Sequence, residues 1–149
     1  MILITLLFIW SVMGFLRTYH TFKQKQVIFD DHFTMTICMM TTMASSFVFG
    51  LYVTFLLPDF QMVSILFGVW IGWKIGSELR NPAKLNGLYN GTMGGIMGTM
   101  LGAVIQNPDL CNIPIESETM IAGNTYGIAF FAACLYTLIL IFIQYSFRV

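Results

Sequence analysis

The chain has 149 residues, of which 57% are hydrophobic and only 9% are charged. Soluble domains carry about 25% charged residues, so this composition excludes an ordinary soluble globular protein and predicts an integral membrane protein. The formal net charge is zero. The sequence has no nucleic-acid-binding motif, phosphate-binding loop or nucleophile–base arrangement, so we expect neither a nucleic-acid partner nor an enzyme.

We predict an all-α, polytopic bundle of five membrane-spanning helices surrounded by the lipid bilayer. The spans lie at about residues 2–19, 32–57, 60–76, 85–105 and 126–145. They leave no room for a separate soluble domain, so residues 1–149 form a single membrane domain. The first segment lacks the positive region and the cleavage site of a secretory signal, so we expect an uncleaved span.

The Lys and Arg residues predict the orientation of these spans. They occur in two groups and at the C-terminal end, at Arg17, Lys23, Lys25, Lys74, Arg80, Lys84 and Arg148. Cytoplasmic loops carry an excess of positive charge, so the connections after the first and third spans are predicted to be inside. The N-terminus is then outside, the C-terminus is inside, and Asp59 and Cys111 lie in outer loops. We expect a multi-pass protein of the bacterial plasma membrane.

The second span carries imidazole, thiol and thioether groups on one side. At about 100° per residue, His32, Met35, Met39 and Met43 share one helical face, and Cys38 lies about 60° from it. This face begins at the inner end of the span and rises through the inner half of the membrane. The pattern predicts a surface of soft ligand atoms on this helix.

The third span carries Gly68, Gly72 and Gly76 at intervals of four residues. Small residues at this spacing let helices approach closely in a membrane. Because the connection to the fourth span is short, we predict an antiparallel hairpin in which these glycines pack against the glycines of the fourth span. Association between subunits is the alternative use of the same glycines.

The fourth span has two different faces. One face consists of glycines, at Gly87, Gly91, Gly94, Gly95, Gly98 and Gly102. The other combines amides with thioethers, at Asn86, Asn90, Met93, Met97 and Met100. An unpaired amide in hydrocarbon costs several kcal/mol, so this second face is predicted to lie against protein or water.

The sulfur-bearing faces of the second and fourth spans overlap in depth and suggest two functions. Thioethers and thiolates select Cu(I) over hard cations, and several weak sites in a row suit ion conduction. The first hypothesis is that a homo-oligomer binds or transports a soft metal ion such as Cu(I). Its candidate ligands are His32, Met35, Cys38, Met39, Met43, Met93, Met97 and Met100. The alternative is a structural or assembly subunit of a larger membrane complex, in which methionine is only an adaptable packing residue.

Two short motifs are similar to motifs of the eukaryotic high-affinity copper transporters. Met35-x₃-Met39 resembles the MxxxM of one span in that family, and Gly91-x₃-Gly95 resembles the GxxxG of another. The resemblance covers two spans and implies that methionines beside a glycine-packed helix suit copper. The chain departs from that family because it has five predicted spans instead of three. It also lacks a methionine-rich outer tail and a C-terminal His/Cys cluster.

Overall fold

A computed structural model of the protein describes residues 2–25, 31–79, 81–108 and 118–146. These residues form the helices α1 (Ile2–Lys25), α2 (Asp31–Leu56), α3 (Gln61–Glu78), α4 (Asn81–Gln106) and α5 (Glu118–Ser146), with a 3₁₀ turn at Pro58–Phe60. The described part of the chain contains no β-strand, which confirms the predicted all-helical class. α1, α4 and α5 extend beyond the predicted spans by several polar residues, and the first turn of α4 accepts Pro82 because that turn needs no backbone N–H donor.

Three of these helices are long and apolar enough to cross a membrane. They are Ile2–Lys23 within α1, His32–Leu56 within α2 and Met120–Ser146 within α5. This finding supports the predicted membrane protein. α3 and α4 do not reach the same criterion. α3 has only 18 residues and includes Lys74 and Glu78, and α4 contains six glycines and three asparagines. At about 1.5 Å per residue, the 18 residues of α3 extend about 27 Å, close to the hydrocarbon thickness of about 30 Å.

α2 lies at the centre of the bundle, and every residue from 48 to 55 of this helix is buried. On one side, the Ser46 hydroxyl donates a hydrogen bond to the Gly68 carbonyl of α3. On the opposite side, the Tyr52 hydroxyl donates to the Ala129 carbonyl of α5, and the ring of Phe8 from α1 packs edge-on against Phe49. α3 and α4 therefore cover one side of α2, while α1 and α5 cover the other.

α2 and α4 run parallel, and contacts between residues 51 apart in sequence recur along both helices. The Asn86 amide donates to the Met35 carbonyl near the start of both helices, and the Gln106 amide donates to the Phe55 carbonyl near their ends. Between these bonds, a Cβ added at Gly94 would lie 2.6 Å from the Met43 carbonyl oxygen. The register is thus maintained along almost the full length of α4.

Candidate functional site

The glycines of α3 and α4 form a seam where the two antiparallel helices touch through their backbones. A Cβ added at Gly91 would lie 2.7 Å from the Gly68 oxygen and 2.7 Å from the Gly72 Cα. A Cβ at Gly76 would lie 2.9 Å from the Lys84 Cα. The structure places every glycine named from the sequence for helix packing against neighbouring atoms: Gly68, Gly72, Gly76, Gly87, Gly91, Gly94, Gly95, Gly98 and Gly102. These glycines therefore pack against other helices of the same chain.

A cluster of hydroxyl groups joins α2, α3 and α4 beside this seam. Ser64 donates to the Gly50 carbonyl at 2.7 Å, and the Thr99 hydroxyl lies 2.9 Å from the Ser64 hydroxyl. Within the described residues, no buried side-chain nitrogen or oxygen lacks a hydrogen-bond partner. The cluster consequently stabilises the interior and offers no free ligand atom. Sequence reasoning missed it, although Ser64 continues the four-residue spacing of Gly68 and Gly72.

Asn86 and Asn90 form a pair in the first turns of α4. The Asn90 amide donates to the Asn86 side-chain oxygen at 2.7 Å, and the Asn86 amide donates to the Met35 carbonyl at 3.1 Å. Asn90 is buried and Asn86 is half-buried. The two amides thus satisfy each other and the α2 backbone inside the chain, so they need no water-filled path beside them.

Most of the predicted methionine ligands are exposed on α2 and α4. The exposed fractions are 43% for Met39, 36% for Met43, 40% for Met93, 48% for Met97 and 63% for Met100. Met43 lies level with Gly94, as its carbonyl contact shows, and Met93 and Met97 flank that glycine on α4. The structure therefore brings thioethers from two helices to one level and leaves them uncovered.

Met40 extends this surface, although it was not predicted as a ligand because it lies about 100° from Met39 on the helix. Its exposed fraction is 57%. We call this surface the methionine face. It consists of Met39, Met40, Met43, Met93, Met97 and Met100.

The remaining candidate ligands lie elsewhere. Cys38 is fully buried, and its thiol donates to the Ala83 carbonyl of α4 at 3.5 Å. His32 is exposed at the start of α2, and Met35 is half-buried beside Asn86. Among the residues that the structure describes, no group of three or more His, Cys, Asp or Glu side chains has the geometry to hold a metal ion. Any soft-metal site on this surface must therefore rely on thioethers.

Thioethers give the methionine face a defined chemistry. They are neutral and soft, so they bind Cu(I) or Ag(I) without first losing a proton. No protein-family model, curated protein or solved structure matches the chain. The positions and exposure of its own side chains are accordingly the basis for a functional proposal.

Proposed function

We propose that the protein is a non-enzymatic membrane protein of the bacterial plasma membrane, and that its methionine face binds a soft monovalent cation such as Cu(I). The observation that carries this proposal is the parallel register of α2 and α4, which sets Met43 level with Met93 and Met97. Thioethers from two helices can then approach one ion together. His32 and Cys38 do not join this surface, so they are not included among the proposed ligands.

We further propose that all five helices span the membrane, with the N-terminus outside and the C-terminus inside. Three helices are apolar enough by themselves. α4 stays in register with α2 from Met35 to Phe55, and α3 packs along α4 through glycines. Helices that contact a spanning helix along its length share its depth in the bilayer. The distribution of Lys and Arg supports the orientation.

The proposed site is open on one side, since each of its methionines is more than a third exposed. A second copy of the chain, presenting the same face, would supply further thioethers and exclude lipid from the ion. We therefore propose a homo-oligomer as the metal-binding form. The tightly packed interior of a single chain supports this arrangement, because backbone contacts between glycines occupy the space between α2, α3 and α4.

The alternative function, a structural subunit of a larger membrane complex, also has a specific observation in its favour. An exposed surface of flexible, polarizable side chains suits contact with another protein. In that case the methionines contribute shape and contact area, and substitution by leucine would weaken binding of the partner protein only slightly. The two functions therefore differ in their response to a soft cation.

Stabilisation by Ag(I), a redox-inert substitute for Cu(I), tests the proposal. Binding to the folded state alone stabilises by about 2.7 kcal/mol at a free-ligand concentration of a hundred times Kd, so thermal unfolding in detergent should shift upward. The double substitution Met43→Leu with Met97→Leu should remove most of the shift. Leucine preserves volume, so the metal-free protein should lose less than about 1.5 kcal/mol.

A matched control replaces two exposed methionines outside the methionine face, Met13 of α1 and Met62 of α3. Met13→Leu with Met62→Leu should retain the Ag(I) shift. Absence of a shift in the parent protein would contradict the metal-binding proposal and favour the subunit function. A shift that survives Met43→Leu with Met97→Leu would also contradict it, because the ion would then bind elsewhere, for example at a cysteine.

A further inference from the structure

A second surface feature lies between α1 and α5, on the side of α2 opposite to α3 and α4. It is a groove of about 590 Å³. The two helices touch beside it, since the Trp10 indole donates to the Thr137 hydroxyl at 3.3 Å and a Cβ at Gly14 would meet the Leu140 side chain. Because Gly14 has no side chain, the groove continues past this contact. Its volume falls within the range of about 300–1,000 Å³ typical of small-molecule sites.

One end of this groove carries strong hydrogen-bond donors, whereas the rest is apolar. Arg17 and Gln144 line that end, and Met13, Leu140 and Ile141 line the apolar part. Arg17 is exposed and is the first charged residue of α1, after an uncharged run from Ile2 to Leu16. Its guanidinium makes no hydrogen bond or ion pair with any residue that the structure describes. Long basic side chains near the end of a membrane helix extend to the membrane surface, where the Arg17 guanidinium is available to an anionic group.

The position of Arg17 places this end of the groove at the membrane surface. Two residues further along α1, the Tyr19 hydroxyl donates to the Glu78 carboxylate at the end of α3. Glu78 is the last residue of its helix, so the guanidinium lies near the level at which α3 leaves the hydrocarbon. That is the level of lipid phosphates. Under the proposed orientation this is the inner leaflet, where anionic lipids attract basic side chains.

We propose that the α1–α5 groove binds an anionic phospholipid, with the phosphate at Arg17 and Gln144 and an acyl chain along Met13, Leu140 and Ile141. Charge complementarity selects this occupant: the guanidinium presents a fork of N–H donors that matches phosphate oxygens. A zwitterionic lipid has the same phosphate, but its cationic headgroup opposes Arg17. The groove should therefore discriminate between lipids by headgroup charge.

Native mass spectrometry of the detergent-solubilised protein can test this proposal. The lipid probes are phosphatidylglycerol and phosphatidylcholine with identical acyl chains, and inorganic phosphate is a separate addition. We expect phosphatidylglycerol to bind the parent protein about fivefold more tightly than phosphatidylcholine, because the choline cation opposes the Arg17 guanidinium, whereas the glycerol headgroup leaves the lipid with a net negative charge that attracts it. Arg17→Gln should remove this preference, and Arg17→Lys should restore part of it because lysine keeps the charge without the fork.

Lys23→Gln is the matched control, because it removes the same charge from an exposed position on α1 that does not line the groove. It should change phosphatidylglycerol binding by less than about twofold, the effect of a weak surface charge. Equal binding of the two lipids to the parent protein would overturn the proposal. Equal losses of phosphatidylglycerol binding in Arg17→Gln and Lys23→Gln would also overturn the proposal, because they would indicate a general attraction of the lipid to surface charge. Displacement of phosphatidylglycerol by inorganic phosphate at the same concentration would overturn it as well, because the groove would then bind the free anion and not the lipid.

Discussion

Gly98→Leu is expected to abolish the native packing of α2 against α4. A Cβ added at Gly98 would overlap the Phe47 carbonyl oxygen and lie 3.0 Å from the Leu51 nitrogen. Both neighbours are backbone atoms of the central helix, so they cannot rotate away as a side chain could. Even Gly98→Ala should destabilise the protein by about 1–3 kcal/mol, the usual cost of overpacking. The larger leucine would separate the two helices.

Gly127 of α5 provides the matched control, because a Cβ at this position would meet nothing within 4 Å. Alanine has a higher helix propensity than glycine by about 1 kcal/mol, so Gly127→Ala should stabilise the protein slightly while Gly98→Ala destabilises it. Thermal unfolding in detergent measures both. Equal effects of the two alanine substitutions would show that α2 and α4 are not in backbone contact at Gly98.

The proposed orientation predicts an all-or-none difference in chemical labelling across the membrane. Asp59 is exposed in the 3₁₀ turn after α2, and Lys23 is exposed near the end of α1. In a protein without its native cysteines, Asp59→Cys should react with an impermeant maleimide on intact cells. Lys23→Cys should react only after the membrane is permeabilised. The distribution of Lys and Arg in the sequence predicts that these two residues lie on opposite sides of the membrane.

Labelling in permeabilised cells is the control that each introduced cysteine can react with the maleimide. Absence of labelling in intact cells then means that the cysteine lies on the inner side of the membrane. Labelling of Lys23→Cys in intact cells would exclude an inner end for α1. Labelling of Asp59→Cys only after permeabilisation would reverse the orientation of α2 and α3. In either case the five-span arrangement with its N-terminus outside would be wrong.

Glycine spacing allowed the tight helix packing to be predicted from the sequence. Gly68, Gly72 and Gly91 recur at a separation that places small residues on one side of a helix, and the short connection between α3 and α4 requires them to be neighbours. The structure shows this close approach. Local spacing was sufficient for the α3–α4 contact, because the two helices are adjacent in sequence. It did not predict that Gly94 and Gly98 of α4 contact the backbone of α2.

Contacts between helices distant in sequence could not be predicted in the same way. Helical periodicity places Cys38 close to Met35 and Met39 on α2. Only the packing of α4 shows that the Cys38 thiol is buried against Ala83. Likewise, the exposure of Met40 depends on which helices pack around α2, and only the structure shows it. The groove at Arg17 exists only because α5 lies beside α1, more than a hundred residues away in sequence.

X-ray absorption spectroscopy of the Cu(I)-loaded protein tests the proposed thioether site most directly. The protein should carry Cys38→Ala, Cys111→Ser and Cys134→Ala, so that methionine is its only source of sulfur. We expect the absorption fine structure to show a sulfur shell around copper, and this shell to disappear when Met43 and Met97 are also replaced by leucine. Failure of the cysteine-free protein to retain copper, or a shell of nitrogen and oxygen alone, would contradict the proposal that the methionine face binds a soft cation.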